Sequence, residues 1–234
     1  MNTTLPNVGQ RNRKRHPDNP ALKLFWECRY QDMRVLTHEG PLIENYLEIL
    51  LRVMNQARQD CPRIFAVRID LLFPAEGYMG YSGCDNACAT SFISHLLWEL
   101  DVANTKYPHK MRYTWCREQV SSIHHHYHVL LLLNGEAYKG LGYFGKSHGG
   151  GFDRDNLYHR IVRAWSSAIA WPLEDMGGLV NVATDSVTEK KYLWNFYQND
   201  QAAFAEVFYG ASYMCKAYSK PIKQGFRCFD GSRH

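Results

Sequence analysis

Apolar residues between 42 and 58 recur at helical spacing, with Ile43, Tyr46, Leu47, Leu50, Leu51 and Met54 along one side. The pattern predicts an amphipathic helix that ends before Pro62. At 64–73 (IFAVRIDLLF) the period falls to two, so Phe65, Val67, Ile69 and Leu71 share one face of a strand and Ala66, Arg68, Asp70 and Leu72 the other. Helical spacing returns over 90–104, with Phe92, Ile93, Leu96, Leu97 and Leu100 as the buried stripe and a cap near Thr90. Two strands follow, 111–118 and 124–133, joined by the short polar stretch QVSSI as a β-hairpin. The glycine-rich stretch GLGYFGKSHGGGF reads as a loop, because no Gly-Lys-Ser/Thr opens a helix there to cradle phosphate. A helix over 155–170, a short strand over 178–183 and a last helix over 200–216 complete the reading. Strands and helices interleave around an antiparallel pair, which implies an α+β domain with a central, mainly antiparallel sheet and helices packed on one face.

A chain of 234 residues has room for one sizeable core. Hydrophobic residues at 45% and charged residues at 21% sit near globular averages, which excludes disordered, collagen-like and coiled-coil classes. Residues 1–20 read as a loose, polar, basic arm and 21–234 as a single domain. The longest aliphatic run, 129–133, is far short of the roughly 20 residues a spanning helix needs, so no membrane partner is expected. No secretory or transit pattern is visible, and a cytoplasmic protein of a bacterial host cell is the expectation. Seven cysteines with no CxxC pair fit reduced thiols, and Cys84 and Cys88 with His95 lack a fourth zinc ligand. The net charge of +4 is unevenly spread: +3 in residues 1–20, +4 in 216–234 and −3 between them. Charge gathered at the ends suits contact with a phosphate backbone, or two solvated termini.

Four histidines, His124, His125, His126 and His128, stand immediately before the aliphatic run. On a strand His124, His126 and His128 share a face, whereas His125 and Tyr127 point the other way with Val129 and Leu131. Neighbouring buried imidazoles leave nitrogens unsatisfied when neutral and repel when charged, and a divalent cation resolves both problems. Glu118, on the preceding strand of the hairpin, is the best candidate for third ligand beside His126 and His128; a surface salt bridge to Arg117 or a neighbour is its ordinary alternative. Two imidazoles and one carboxylate with open positions suit Mn²⁺ or Mg²⁺ held against a phosphodiester.

His126-Tyr127-His128 followed by aliphatic residues resembles the HUH motif of rolling-circle replication initiators and relaxases. The set RIDL, WCREQ, HYHVLLLLN, SYMCK and FDGSR is similar to the filamentous-phage (inovirus) gene-two-like replication proteins, over roughly residues 64–234. The resemblance implies the HUH endonuclease fold, which is RRM-like. It also implies a metal triad at Glu118, His126 and His128, with Tyr213 of SYMCK as nucleophile and Lys216 as its partner. In a helix, positions three apart share a face, so Lys216 can stand beside the Tyr213 phenol and ease phenolate formation. The implied activity is a metal-dependent single-stranded DNA endonuclease and strand-transferase. It would nick an origin through a 5′-phosphotyrosine to start rolling-circle replication of a phage or mobile element.

The expected partner is single-stranded or hairpin origin DNA. A host helicase is expected too, since the chain carries no helicase-type P-loop. Arg68, Lys220, Lys223 and Arg227 are the expected DNA contacts. Arg68 and Asp70 could instead support the metal site or pair with each other. Tyr127 and Trp115 could stack bases, though core packing is their plainer role. Tyr209, four residues before Tyr213, and Tyr218 leave a second nucleophile open. Two rival readings stand beside the nickase. One is a DNA-binding or regulatory protein that keeps the fold without catalysis. The other is a non-haem iron oxygenase, whose carboxylate usually follows the first histidine by two residues, where this chain has His128.

Overall fold

The computed structural model describes residues 12–75, 86–119 and 125–233. The alternating segment expected at 64–73 forms β1 (Arg63–Leu71), and the expected hairpin partners form β2 (Arg112–Glu118) and β3 (His126–Asn134). Three short strands join them: β4 (Val180–Val182), β5 (Leu193–Tyr197) and β6 (Phe229–Gly231). The sheet runs β6-β2-β3-β1, and the outer edge of β1 is shared end to end by β5, against residues 63–67, and β4, against 69–71. Every pairing is antiparallel. The QVSSI connection lies largely outside the described residues, as does His124.

The fold class is α+β, as the chain's pattern predicts, with four helices on the sheet among the described residues: α1 (Glu44–Asp60), α2 (Ala87–Asp101), α3 (Leu157–Ile169) and α4 (Gln201–Ser212). They cover both faces, which corrects the expectation of helices on one. One core gathers Phe65, Val67, Ile69 and Leu71 of β1 and Val129, Leu131 and Leu133 of β3 under α2 and α3. The other gathers Ile64, Ala66, Leu130 and Leu132 under α1 and α4. The reason is visible in β3, where five successive aliphatic residues point alternately up and down and are each 1% exposed or less. Burying one leucine is worth about 1.5–3 kcal/mol, so neither face can be left to water.

Local chemistry sets the helix ends. Asn156 accepts from His159 N at 2.9 Å to cap α3, and Asp200 accepts from Ala203 N at 3.0 Å to cap α4. The cap expected near Thr90 is absent, because α2 already begins at Ala87. The last helix stops at Ser212, and Tyr213–Cys215 is a single 3₁₀ turn closed by Lys216 N donating to Tyr213 O at 3.2 Å. β5 and β6 were not foreseen; β6 spans three residues and exists as the edge partner of β2. From residue 12 onward the basic arm is not loose. Arg15 bridges Lys23, Leu24–Phe25 pairs with Leu42–Ile43, and Trp26 Nε1 donates to Arg13 O at 2.8 Å. Among the described residues no helix is long and apolar enough to cross a membrane. Cys28, Cys61, Cys88, Cys116, Cys215 and Cys228 are free thiols, and Cys84 lies outside the described residues.

Candidate functional site

The register of the three central strands builds the site. β2 and β3 set Glu118 opposite His126 and Cys116 opposite His128, while β1 sets Asp70 opposite His128 from the other side. Strand period places these side chains on the face covered by α1 and α4, beyond the end of its leucine layer. Glu118, His126 and His128 each offer a ligand atom, and these atoms lie within 4.8 Å of one another. The two Nε2 atoms are 3.2 Å apart, and Glu118 Oε2 is 3.4 Å from His128 Nε2. Ligands about 2.1 Å from one ion and at right angles around it stand about 3 Å apart, which the two distances from His128 Nε2 approach. His128 is oriented from behind by Asp70, whose Oδ1 lies 2.5 Å from Nδ1 and leaves Nε2 facing its partners. This is the carboxylate–histidine support that metal-ligating imidazoles ordinarily have.

Charge at the site is tightly balanced. Glu118 is 1% exposed, and its Oε1 accepts from Lys220 Nζ at 2.5 Å while Oε2 lies 3.5 Å from Lys216 Nζ. Burial by itself would raise the Glu118 pKa; Lys220, then His128 and Lys216, outweigh it and hold the carboxyl well below the usual carboxylate range. Burial likewise opposes a charge on His128, but hydrogen bonds to Asp70 and Glu118 prevail and raise its pKa. For His126, burial and the neighbouring His128 both act against the proton and lower its pKa. Of the two imidazoles, His128 therefore holds a proton more readily than His126.

Tyr213 arrives from the far end of the chain. The 3₁₀ turn after α4 sets its ring edge-on to His128, with centroids 5.5 Å apart. Lys216 Nζ stands 3.3 Å from the Tyr213 ring centroid, so it bridges phenol and Glu118 as well as Glu39 at 3.6 Å. Burial would lower the Lys216 pKa, but Glu118 and hydrogen bonding to Tyr213 raise it above its ordinary value. The expected proximity of Tyr213 and Lys216 is present, through a tight turn rather than the face of an α-helix.

Other expectations fare differently. Arg68, 5% exposed, points inward: its Nη1 donates to Gly210 O at 2.7 Å, and its guanidinium lies 4.7 Å from the Tyr213 ring centroid. Lys220 is 7% exposed and spent on Glu118. Neither occupies the DNA-facing position expected of it, because each neutralises or packs against groups beneath the surface. Lys223 and Arg227 remain on the surface, paired with Asp18 at 3.6 Å and Asp230 at 2.7 Å. Among the described residues, Glu118 pairs below the surface with His128, Lys216 and Lys220 rather than with Arg117. Tyr127 and Trp115 are core residues, Tyr127 touching Trp115 and Trp165 edge to face. Tyr218 is half exposed and donates to Glu39 Oε2 at 2.8 Å. Tyr209 lies under Arg34, 5.0 Å from ring centroid to guanidinium.

Of two supporting contacts in the cluster, one was missed and one was left open. Lys220 as the clamp on Glu118 had no local signal, since it read as one of several basic tail residues. Asp70 as the support of His128 was one of three open roles. Its place on the non-apolar face of β1 was the available clue.

A model of the YagK/YfjJ C-terminal domain family matches residues 27–232. Two relatives from Escherichia coli K12 are similar to the chain. "Uncharacterized protein YfjJ" is 32% identical over 124 residues, 53% of this chain and 55% of that protein. "Uncharacterized protein YagK" is 27% identical over 215 residues, 84% of this chain and 96% of that protein. The chain thus spans about half the length of the first relative and nearly all of the second. No solved structure matches.

Proposed function

The chain belongs to the YagK/YfjJ C-terminal domain family, and we propose that this domain is a metal-dependent single-stranded DNA endonuclease and strand-transferase of the HUH type, working as a replication initiator of a phage or mobile element in the cytoplasm of a bacterial host. The observation that carries this reading is the meeting of a Glu118, His126, His128 donor cluster with Tyr213, whose ring lies 5.5 Å from the His128 imidazole. The resemblance of the HYHVLLLLN and SYMCK segments to HUH initiators supports it independently.

In this reading Glu118, His126 and His128 hold Mn²⁺ or Mg²⁺, and a bound divalent ion supplies Lewis-acid polarisation of the scissile phosphate. Asp70 keeps His128 Nε2 aimed at its partners, and Lys220 holds one Glu118 oxygen so that the other faces the imidazoles. The Tyr213 phenol oxygen attacks phosphorus and the bond to the 3′-oxygen breaks. One proton passes in net from the phenol to the leaving 3′-oxygen. The products are a 5′-phosphotyrosyl bond and a free 3′-hydroxyl. Lys216, 3.3 Å from the Tyr213 ring centroid, offsets charge growing on the phosphate. Because the phosphodiester is exchanged rather than hydrolysed, attack by a 3′-hydroxyl reverses the step and rejoins strands. Unwinding falls to a helicase partner.

The test incubates the protein with a pool of random-sequence single-stranded DNA and Mn²⁺, then resolves the mixture under denaturing conditions. The expected result is a covalent adduct whose nuclease-trimmed peptide carries a nucleotide on Tyr213, absent from Tyr213→Phe. An adduct that persists in Tyr213→Phe, or none with any divalent ion, overturns the proposal. The second reading, a DNA-binding protein without catalysis, has one observation in its favour. The 2.5 Å Lys220–Glu118 pair already neutralises the carboxylate without an ion. Binding with no adduct would favour it.

A further inference from the structure

Beside the candidate site lies an open cleft of about 400 Å³, in the range of small-ligand pockets. Its walls are aromatic: Tyr192 and Trp194 from the β5 side and Tyr209 from α4. The rings rest directly on Gly210. A Cβ there would meet Tyr192 ring carbons at 2.9 Å and Trp194 Cη2 at 3.0 Å. Glycine in a helix costs roughly 0.5–1 kcal/mol relative to alanine, and here its absent side chain is what seats the two rings. Ala202 and Ala205 keep the α4 side open.

The rim is cationic. Arg29, Arg34, Lys190 and Lys191 line the cleft and are exposed. Of the three carboxylates in the lining, Asp185 is committed to its own loop, accepting from Thr188 N at 2.7 Å and Tyr192 Oη at 2.9 Å. Asp185 keeps its charge but is turned to that loop, so the lining carries four cations against three carboxylates, a net excess of one positive charge. The cleft is also joined to the candidate site. The Arg68 guanidinium lies 4.2 Å from the Tyr192 ring centroid and 4.7 Å from that of Tyr213, so one buried side chain separates the pocket wall from the phenol.

Flat aromatic walls beneath a basic rim are the two elements of single-strand recognition, stacking for the bases and cations for the backbone. We infer that this cleft is a nucleotide-binding pocket that takes a base of single-stranded DNA, stacked on Trp194 and Tyr209, with the flanking phosphates on Arg34, Lys190 and Lys191. The inference deepens the nicking proposal and rests on it for the identity of the strand. The seated nucleotide would hold the neighbouring phosphodiester in reach of Tyr213.

The test measures binding of a fluorescein-labelled 20-nucleotide single strand by anisotropy in EDTA, where cleavage cannot contribute. Stacking is worth about 1–3 kcal/mol per base by alanine substitution, so Trp194→Ala should weaken binding about 5- to 150-fold. Trp194→Phe, which keeps a stacking face, should restore most of it. A strand carrying 5-iodouracil should photo-crosslink to Tyr192, Trp194 or Tyr209 in the wild-type protein, a readout that needs no variant to fold. A change below twofold in Trp194→Ala, equal loss in Trp194→Phe, or crosslinks confined to other surfaces would overturn the inference. The nicking proposal fails separately. In that case the strand binds and crosslinks in the cleft, yet no Tyr213 adduct forms with Mn²⁺.

Discussion

Glu118→Gln is the most informative single substitution, because Glu118 answers to two lysines as well as to the imidazoles. Its side chain is 2% exposed and that of Lys220 is fully buried, with Nζ 2.5 Å from Oε1; Lys216 Nζ is 3.5 Å from Oε2. Removing the charge strands the Lys220 ammonium under the surface and leaves Lys216 with Glu39 at 3.6 Å. Breaking a buried pair by removing one partner costs about 3–5 kcal/mol. Glutamine keeps the volume and one acceptor oxygen, which places the expected cost near the lower end. For a chain of this size each kcal/mol shifts Tm by about 2–4 °C, so the full range corresponds to a fall of roughly 6–20 °C, and the lower end to about 6–12 °C. Thermal unfolding followed by tryptophan fluorescence measures it. The double variant Glu118→Gln/Lys220→Met removes the stranded ammonium and should recover most of the loss, since apolar replacement of a buried ion pair is often neutral or stabilising. Neither variant should gain Tm on addition of Mn²⁺. The wild type should gain it, by about 2.7 kcal/mol of stability when the ion stands at 100 times its Kd. A Glu118→Gln protein within 2 °C of wild type would refute the buried-pair argument. Failure of the double variant to recover would place the damage elsewhere.

Asp70→Ala should leave the fold intact and weaken Mn²⁺ binding about 10- to 100-fold by calorimetric titration, the usual consequence of losing the group that orients a ligating histidine; unchanged affinity would remove Asp70 from the site. Arg68→Met keeps much of the buried stem but loses the 2.7 Å hydrogen bond to Gly210 O. A hydrogen bond to a charged group is worth about 1.5–3 kcal/mol, and urea unfolding should show a loss of that order, while a stability equal to wild type would mean that the guanidinium is not held as described.

The donor cluster was legible in the chain because everything it needs is local. A strand period of two puts His126 and His128 on one side, and a short connection returns the preceding strand so that Glu118 falls opposite His126. Tyr213 and Lys216 were singled out by the resemblance of SYMCK, and their proximity followed because three residues separate them whether the turn is α or 3₁₀. The helices were legible from apolar spacing, to within a few residues at each end. Their distribution over two faces was not drawn from the pattern, although the unbroken aliphatic run of β3 contained it: such a strand cannot leave either side in water.

What the chain by itself determined, then, is set by short-range geometry: which side chains share a strand face, which lie within one turn, and where apolar periodicity demands burial. What only the tertiary structure decided is which distant groups meet. Asp70 reaches His128 because β1 pairs with β3 in the register that sets the two opposite each other. Lys220 and Arg68 turn inward because buried Glu118 and the Gly210 carbonyl draw the charge that their sequence context seemed to offer to solvent. Charge on a side chain is readable from its letter. Whether that charge faces water or a buried partner depends on packing between segments far apart in the chain.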